Sequence, residues 1–318
     1  MKKYLGFVAL AFLLNGCDDG DMTVENIDFA DVIADDCGNI IYKLKDSEVW
    51  FFEVESAEAA FANDATPEGV PRTLPINNAN RIFYRAYNGP ITSANICETI
   101  QPTTPSVIEQ WTFTGNNAAI EITTTPVIVP NTDFPGGEKI QSYRHHIFFK
   151  NIVITSPGGS IQDDSEEFGF YLTPASTLPF NFDDQLDQCG NLINNTIGSE
   201  GIALDIDPAL IQNATTTGTP RIGLISATTN RLVYSLFQSQ VTADYFCASP
   251  TPPAPALKEQ WIADDGVSGA SGIVEVTTTS SGPGVFLHEI HLKNVRFRRG
   301  NSSFLLATDY FLGYLTTN

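Results

Sequence analysis

The chain is short of positive charge, of histidine and of long apolar runs, and each shortage excludes something. Its 318 residues carry 17 Lys+Arg against 37 Asp+Glu, a formal net charge of −20. A surface that acidic repels nucleic acid and anionic lipid headgroups. The longest apolar run, Tyr4 to Leu14, would span roughly 16 Å as a helix, about half of the ~30 Å of hydrocarbon a membrane helix must cross. A hydrophobic fraction of 42% suits ordinary globular cores and is too low for a polytopic membrane protein. The chain has no Gly-x-Ser-x-Gly elbow, no His-Glu-x-x-His, no phosphate-cradling glycine loop and no Cys-x-x-Cys. The usual sequence signatures of hydrolases, zincins, nucleotide binders and thiol oxidoreductases are therefore missing. Carboxylates are plentiful, but no spacing singles out a glycosidase pair. The expectation is a protein that is not an enzyme, with no catalytic residues, no cofactor and no metal.

What the sequence does have is a repeat. Asn80-Arg81-Ile82-Phe83-Tyr84, Cys97 and Glu109-Gln110-Trp111 recur without a gap as Asn230-Arg231-Leu232-Val233-Tyr234, Cys247 and Glu259-Gln260-Trp261. Cys37-Gly38-Asn39 likewise returns as Cys189-Gly190-Asn191. Helical pattern is confined to one turn near Ser56 to Phe61. Short strands punctuated by Thr, Gly and Pro indicate an all-β fold. The expected architecture is two tandem homologous antiparallel β-sandwich (or flattened barrel) domains, residues 27–175 and 176–318. Trp111 and Trp261 follow the second Cys of their copy, which argues against an immunoglobulin domain, where the Trp lies between the two. Both read as packing anchors.

The amino terminus reads as an export signal over residues 1–16, with Lys2-Lys3 ahead of the apolar run. That run ends in Leu14-Asn15-Gly16-Cys17, which resembles the lipobox of bacterial lipoproteins. The resemblance implies a diacylglyceryl thioether on Cys17, cleavage before it and acylation of the new amino group. Two or more acyl chains are enough for stable anchoring. Residues 17–26 would be a lipidated flexible tether. Asp18-Asp19-Gly20-Asp21 resembles the acidic run that marks surface display in one group of two-membraned bacteria. The expected location is the cell envelope, anchored to the outer membrane and facing the exterior. Removal of Lys2 and Lys3 leaves 15 basic residues against 37 acidic ones, a net charge of about −22. An exported chain sits where disulfides persist. Setting Cys17 aside leaves four cysteines with three possible pairings, and the repeat selects Cys37–Cys97 with Cys189–Cys247.

Side-chain alternation places Ile202, Leu204 and Ile206 inward, and Gly201, Ala203 and Asp205 outward. Transferring that phase to the first copy puts Trp50, Phe52 and Val54 in the core and turns Val49 and Phe51 outward. In both copies the apolar phase slips by one residue at Lys150-Asn151 and Lys293-Asn294, which reads as a β-bulge. Asp163 to Glu167 reads as a solvated, charged loop. All four histidines lie in equivalent strands, and His145 and His288, which recur, suit buried residues donating to backbone carbonyls. Glu289 and His291 share a strand face, where a third ligand from elsewhere could complete a metal site, but the expectation is ordinary strand histidines and no metal. The first copy carries 11 extra residues between Thr125 and His145, including Phe134. Long loops on rigid sandwiches are where binding usually lives. Phe51 and Phe134 are thus the candidate binding residues. The functional expectation is a lipid-anchored, non-catalytic binding, adhesion or envelope-assembly protein with an unknown protein or glycan partner. The alternative is a glycan-capturing or glycan-processing accessory of a nutrient-uptake system.

Overall fold

The computed structural model describes residues 28–318; the expected signal peptide, Cys17 and the tether lie outside them. Strands make up 53% of the structure and helices 4%, so the fold is all-β. The first half contains β1 (Asp35–Cys37), β2 (Ile40–Lys45), β3 (Glu48–Glu53), β4 (Arg72–Pro75) and β5 (Arg81–Tyr87). It continues with β6 (Val107–Thr114), β7 (Ala119–Pro130), β8 (Glu138–Ser156) and β9 (Gly159–Pro174). The second half contains β10 (Asp187–Cys189), β11 (Leu192–Ile197), β12 (Glu200–Asp205), β13 (Arg221–Leu224), β14 (Arg231–Phe237) and β15 (Leu257–Ala263). It closes with β16 (Ile273–Gly282), β17 (Val285–Lys293), β18 (Arg296–Arg299), β19 (Ser302–Leu305) and β20 (Asp309–Thr317). One-turn helices are α1 (Ala57–Ala60), α2 (Ala94–Cys97) and α3 (Ala243–Cys247). Only α1 is legible in the sequence, where Ser56 caps it by accepting from the Ala59 N–H at 3.2 Å.

The chain divides into two compact units that do not follow the midpoint of the sequence. One contains the described residues up to Val54, Ile76–Ala118 and Lys150–Glu166. In it the strands run β1-β2-β3-β5-β6, followed by the end of β8. The other contains Glu55–Pro75, Ala119–Phe149 and Glu167–Asn318. It holds β4-β7-β8 with the end of β9, the sheet β10-β11-β12-β14-β15-β18-β19, and the sheet β13-β16-β17-β20.

Pairing registers echo the sequence repeat. Trp50 faces Tyr84 and Phe52 faces Ile82 across β3 and β5; Ile202 faces Tyr234 and Leu204 faces Leu232 across β12 and β14. Tyr84 pairs with Trp111 and Tyr234 with Trp261, and each ladder has a register shift at the same place further along, at Ala86/Tyr87 and Leu236/Phe237. Alternation explains the core of the second unit. Ile202, Leu204, Leu232 and Trp261 from one sheet meet Val274, Val276, Ile290 and Leu292 from the other in a single apolar cluster.

The structure corrects the bulge expected at Lys-Asn. Asn294 has φ 51° and Asn151 φ 52°, the left-handed region that Asn tolerates better than most residues. β17 lies in the four-stranded sheet and β18 in the seven-stranded one, so Asn294 is the corner at which the chain changes sheets. Its Nδ2 donates to the Ala270 carbonyl at 3.0 Å, and its own carbonyl accepts from Gly272 N–H at 3.1 Å. Inside and outside exchange at such a corner, which is what the one-residue slip records. Asp163 to Glu167 is also not a loop: it lies within β9, whose ladder with β8 supplies partners for the backbone.

Candidate functional site

The recurring histidines sit in a polar chain that crosses a sheet. Arg72 on β4 donates to Thr124 Oγ1 at 3.3 Å, and that hydroxyl lies 2.9 Å from His145 Nδ1. His145 Nε2 lies 2.9 Å from Thr173 Oγ1, which donates to Asn63 Oδ1 at 2.6 Å. Arginine cannot accept, so the donor order runs Arg72, Thr124, His145, Thr173, Asn63, with the histidine proton on Nε2. The second half repeats it: Arg221 to Thr278 at 2.7 Å, Thr278 to His288 Nδ1 at 2.8 Å, His288 Nε2 to Thr317 at 2.8 Å, and Thr317 to Asn213 at 2.6 Å. Both imidazoles are fully buried. Burial first, and Arg72 second, holds His145 down to about 4; burial and Arg221 lower His288 in the same way. The partners are threonine hydroxyls and not the backbone carbonyls expected from the sequence. A neutral ring with both nitrogens occupied cannot reach a substrate, so the chain acts as a tie across β4, β7, β8 and β9, and across β13, β16, β17 and β20.

Glu289 and His291 meet as their spacing suggests, but their partners are ionic. His291 Nε2 lies 3.0 Å from Glu289, and Nδ1 lies 2.7 Å from Asp309. Lys293 bonds the other Asp309 oxygen and approaches Glu275 at 3.4 Å. Partial burial alone would raise Asp309, yet the bonds from Lys293 and His291 hold it below the usual carboxylate range. Among the described residues no group of three or more His, Cys, Asp or Glu is arranged to hold a metal.

A cleft of about 300 Å³ opens in the second unit beside Trp261. Glu259 is its anchor: Ser176 donates to one carboxylate oxygen, and Trp261 Nε1, at 3.2 Å, and Arg299, at 3.1 Å, contact the other. Arg299 lies over the Trp261 ring at 5.0 Å. Tyr143, 1% exposed, borders the cleft, and its buried hydroxyl lies near Ser302 and Arg299 without a hydrogen bond of good geometry. Burial pushes that phenol above its ordinary range. Phe304, Phe180 and Gln141 complete the wall. Glu259-Gln260-Trp261 is visible in the repeat, but Arg299 and Tyr143 carry no signal in the sequence alone.

Of the two aromatic candidates, Phe51 is buried and Phe134 half-buried. Phe51 is 2% exposed and Val49 fully buried, under a cover of Tyr42, Tyr87, Ile91 and Ile96 that α2 helps to supply. Their outward phase is right, but the outer face is roofed. Phe134 packs its ring against Phe180 at 6.2 Å and Tyr310 at 5.4 Å. The loop bearing it is tied down: the Pro135 carbonyl accepts from Thr308 N–H at 3.2 Å, and Glu138 accepts from Leu305 N–H at 2.9 Å.

The corresponding outer face of the second half is open. Where Phe51 and Phe83 pair across β3 and β5, Ala203 and Val233 pair across β12 and β14. Arg85 opposite Gln110 becomes Ser235 opposite Gln260. A groove of about 600 Å³ lies over these residues, with Tyr245 and Phe246 of α3 on one side and Asp205 and Arg231 among its lining.

No family model, curated protein or solved structure matches the chain.

Proposed function

We propose that this is a lipid-anchored, non-catalytic binding protein of the bacterial cell envelope, displayed on the cell surface and built from two copies of one β module. The supporting observation is that the second half opens two concavities, the Trp261 cleft and the groove over Ala203 and Val233, where some of its side chains differ from those of the first half. The shared arginine–threonine–histidine–threonine–asparagine chains are buried and satisfied. The Trp261 cleft depends on Arg299, for which the first half has Ser156 by the alignment across the Lys-Asn corner. Among the described residues no helix is long and apolar enough to cross a membrane, and the lipid on Cys17 supplies the attachment. Protease shaving of intact cells tests the reading. Removal of the protein from unpermeabilised cells is expected; full protection places it on the periplasmic side. Cys17→Ser is expected to release the protein or block its maturation, and unchanged membrane fractionation would sink the anchor.

A second reading, capture of a glycan, has one observation in its favour. The cleft of about 300 Å³ combines Trp261, Phe304 and Phe180 with neutral polar groups, Tyr143 and Gln141 among them. That is the composition and the lower size limit of a small-ligand site. Titration with short oligosaccharides, followed by tryptophan fluorescence in wild type and Arg299→Ala, tests it. A saturable change that the variant loses supports glycan capture.

A further inference from the structure

We infer that the open groove over Ala203 and Val233 binds an extended segment of a partner polypeptide that presents an aromatic side chain next to an arginine. This rests on the reading of the protein as a binding module and names the class of partner. The molecule itself shows what its scaffold holds at this place. On the first half's face, Phe51 and Phe83 stack with centroids 5.2 Å apart and an interplanar angle of 27°. Arg85 lies over them at 5.0 and 5.7 Å, and its Nε donates to Gln110 Oε1 at 2.8 Å. Phe83 and Arg85 are two residues apart on one strand, so an extended Phe-x-Arg pattern presents both on the same face.

The second half keeps the frame and lacks the filling. The disulfide, the adjoining one-turn helix and the strand registers recur. One exchange compensates itself. Gly201 stands where the first half has Val49, and the Phe246 ring lies against it so closely that an added Cβ would sit 2.5 Å from the ring. The other three exchanges do not: Phe to Ala203, Phe to Val233 and Arg to Ser235 all remove volume. What remains is a trough with Ala203 and Val233, each 8% exposed, at its base.

Charge favours a basic visitor. In the first half Glu53 is bound by Arg81. At the matching cross-strand pair, Asp205 and Arg231, no ion pair forms among the described residues. Asp205 is therefore free to receive a guanidinium. Gln260, 3.5 Å from Ser235, stands where Gln110 grips Arg85. A protein of net charge −20 also draws cationic segments from a distance.

The test uses the whole lipid-free mature chain and the probe acetyl-Gly-Phe-Ala-Arg-Gly-amide, with acetyl-Gly-Ala-Ala-Arg-Gly-amide as control. The Ala203 and Val233 methyl resonances are expected to shift saturably with the first probe, and at least tenfold more weakly with the control. Filling the trough by Ala203→Phe, Val233→Phe and Ser235→Arg together should abolish the response. If that variant misfolds, Asp205→Asn at the edge should weaken the phenylalanine probe at least threefold. No shift at Ala203 with the peptide, a shift with maltotriose in its place, or loss of the methyl signals through concentration-dependent self-association would each overturn the assignment. Sugar binding at Trp261 with silence at Ala203 would overturn it alone, leaving the binding reading intact.

Discussion

The outer faces of β3–β5 and β12–β14 are the most informative pair in the molecule. They share register, a flanking one-turn helix and a disulfide, and differ in their side chains, among them Val49/Gly201, Phe51/Ala203, Phe83/Val233 and Arg85/Ser235. One face holds stacked phenylalanines under a guanidinium; the other has a trough. The same backbone can thus be closed or open, and the choice is made by side-chain volume and not by topology. The histidine chains make the opposite point, because there the side chains are retained and both sites are shut.

Four experiments would break or sharpen this comparison. The largest effect is expected from the disulfides. Cys37–Cys97 and Cys189–Cys247 close loops with sequence separations of 60 and 58, each worth roughly 4 kcal/mol in the chain-entropy model. Paired Cys→Ala replacement in either half should lower the urea midpoint by similar amounts; a one-sided effect would show that the frames are not equivalent. Phe51→Ala comes next, at about 3–4 kcal/mol for a buried aromatic lost from a packed face. Ala203→Phe should change stability by less than about 1 kcal/mol, since the space exists. Equal costs would deny that one face is filled and the other open.

The third experiment concerns pH. His145 is held down to about 4 against an ordinary 6.5, so between those values the unfolded chain binds a proton that the folded chain refuses. Stability should fall as pH drops from about 6.5 towards 4, by about 3 kcal/mol in total for this group. Because acid also relieves repulsion among excess carboxylates, the readout is the difference between wild type and His145→Gln. The variant should show the shallower slope, and His288→Gln should do the same in the other half. The smallest effect is at the edges of the two faces. Glu53→Gln breaks an exposed ion pair with Arg81 and should cost under about 1 kcal/mol. Asp205→Asn, with no pair to break, should cost nothing measurable.

Much of the fold was legible because β structure writes itself in alternation. Ile202, Leu204 and Ile206 face the core as the pattern requires, and the slip at Asn151 and Asn294 was visible; at Asn294 its cause is a change of sheet, and at Asn151 a left-handed residue within the continuous β8. Burial was not legible wherever a second layer lay over a face. Val49 and Phe51 point away from the main core and are buried all the same, because the cover is assembled from Tyr42 of β2, Tyr87 of β5, Ile91 of a loop and Ile96 of a one-turn helix, which together leave no periodic signature. The acidic run in β9 was misread for a related reason: charge describes the side chains, whereas the ladder is made by the backbone. The Trp261 cleft gathers Tyr143, Ser176, Glu259 and Arg299 from distant parts of the chain, and only three-dimensional folding brings such residues together.

The loop around Phe134 carries a consequence for anyone who would divide this chain. Severing it near residue 175, where the repeat suggests a seam, would take Phe134 from Tyr310 and Phe180, and Glu138 from the Leu305 amide. It would also unpair the Ser302 hydroxyl from Ala65 and the Asn301 amide from its backbone partner. The carboxy-terminal piece would inherit bare rings and orphaned polar groups along one flank.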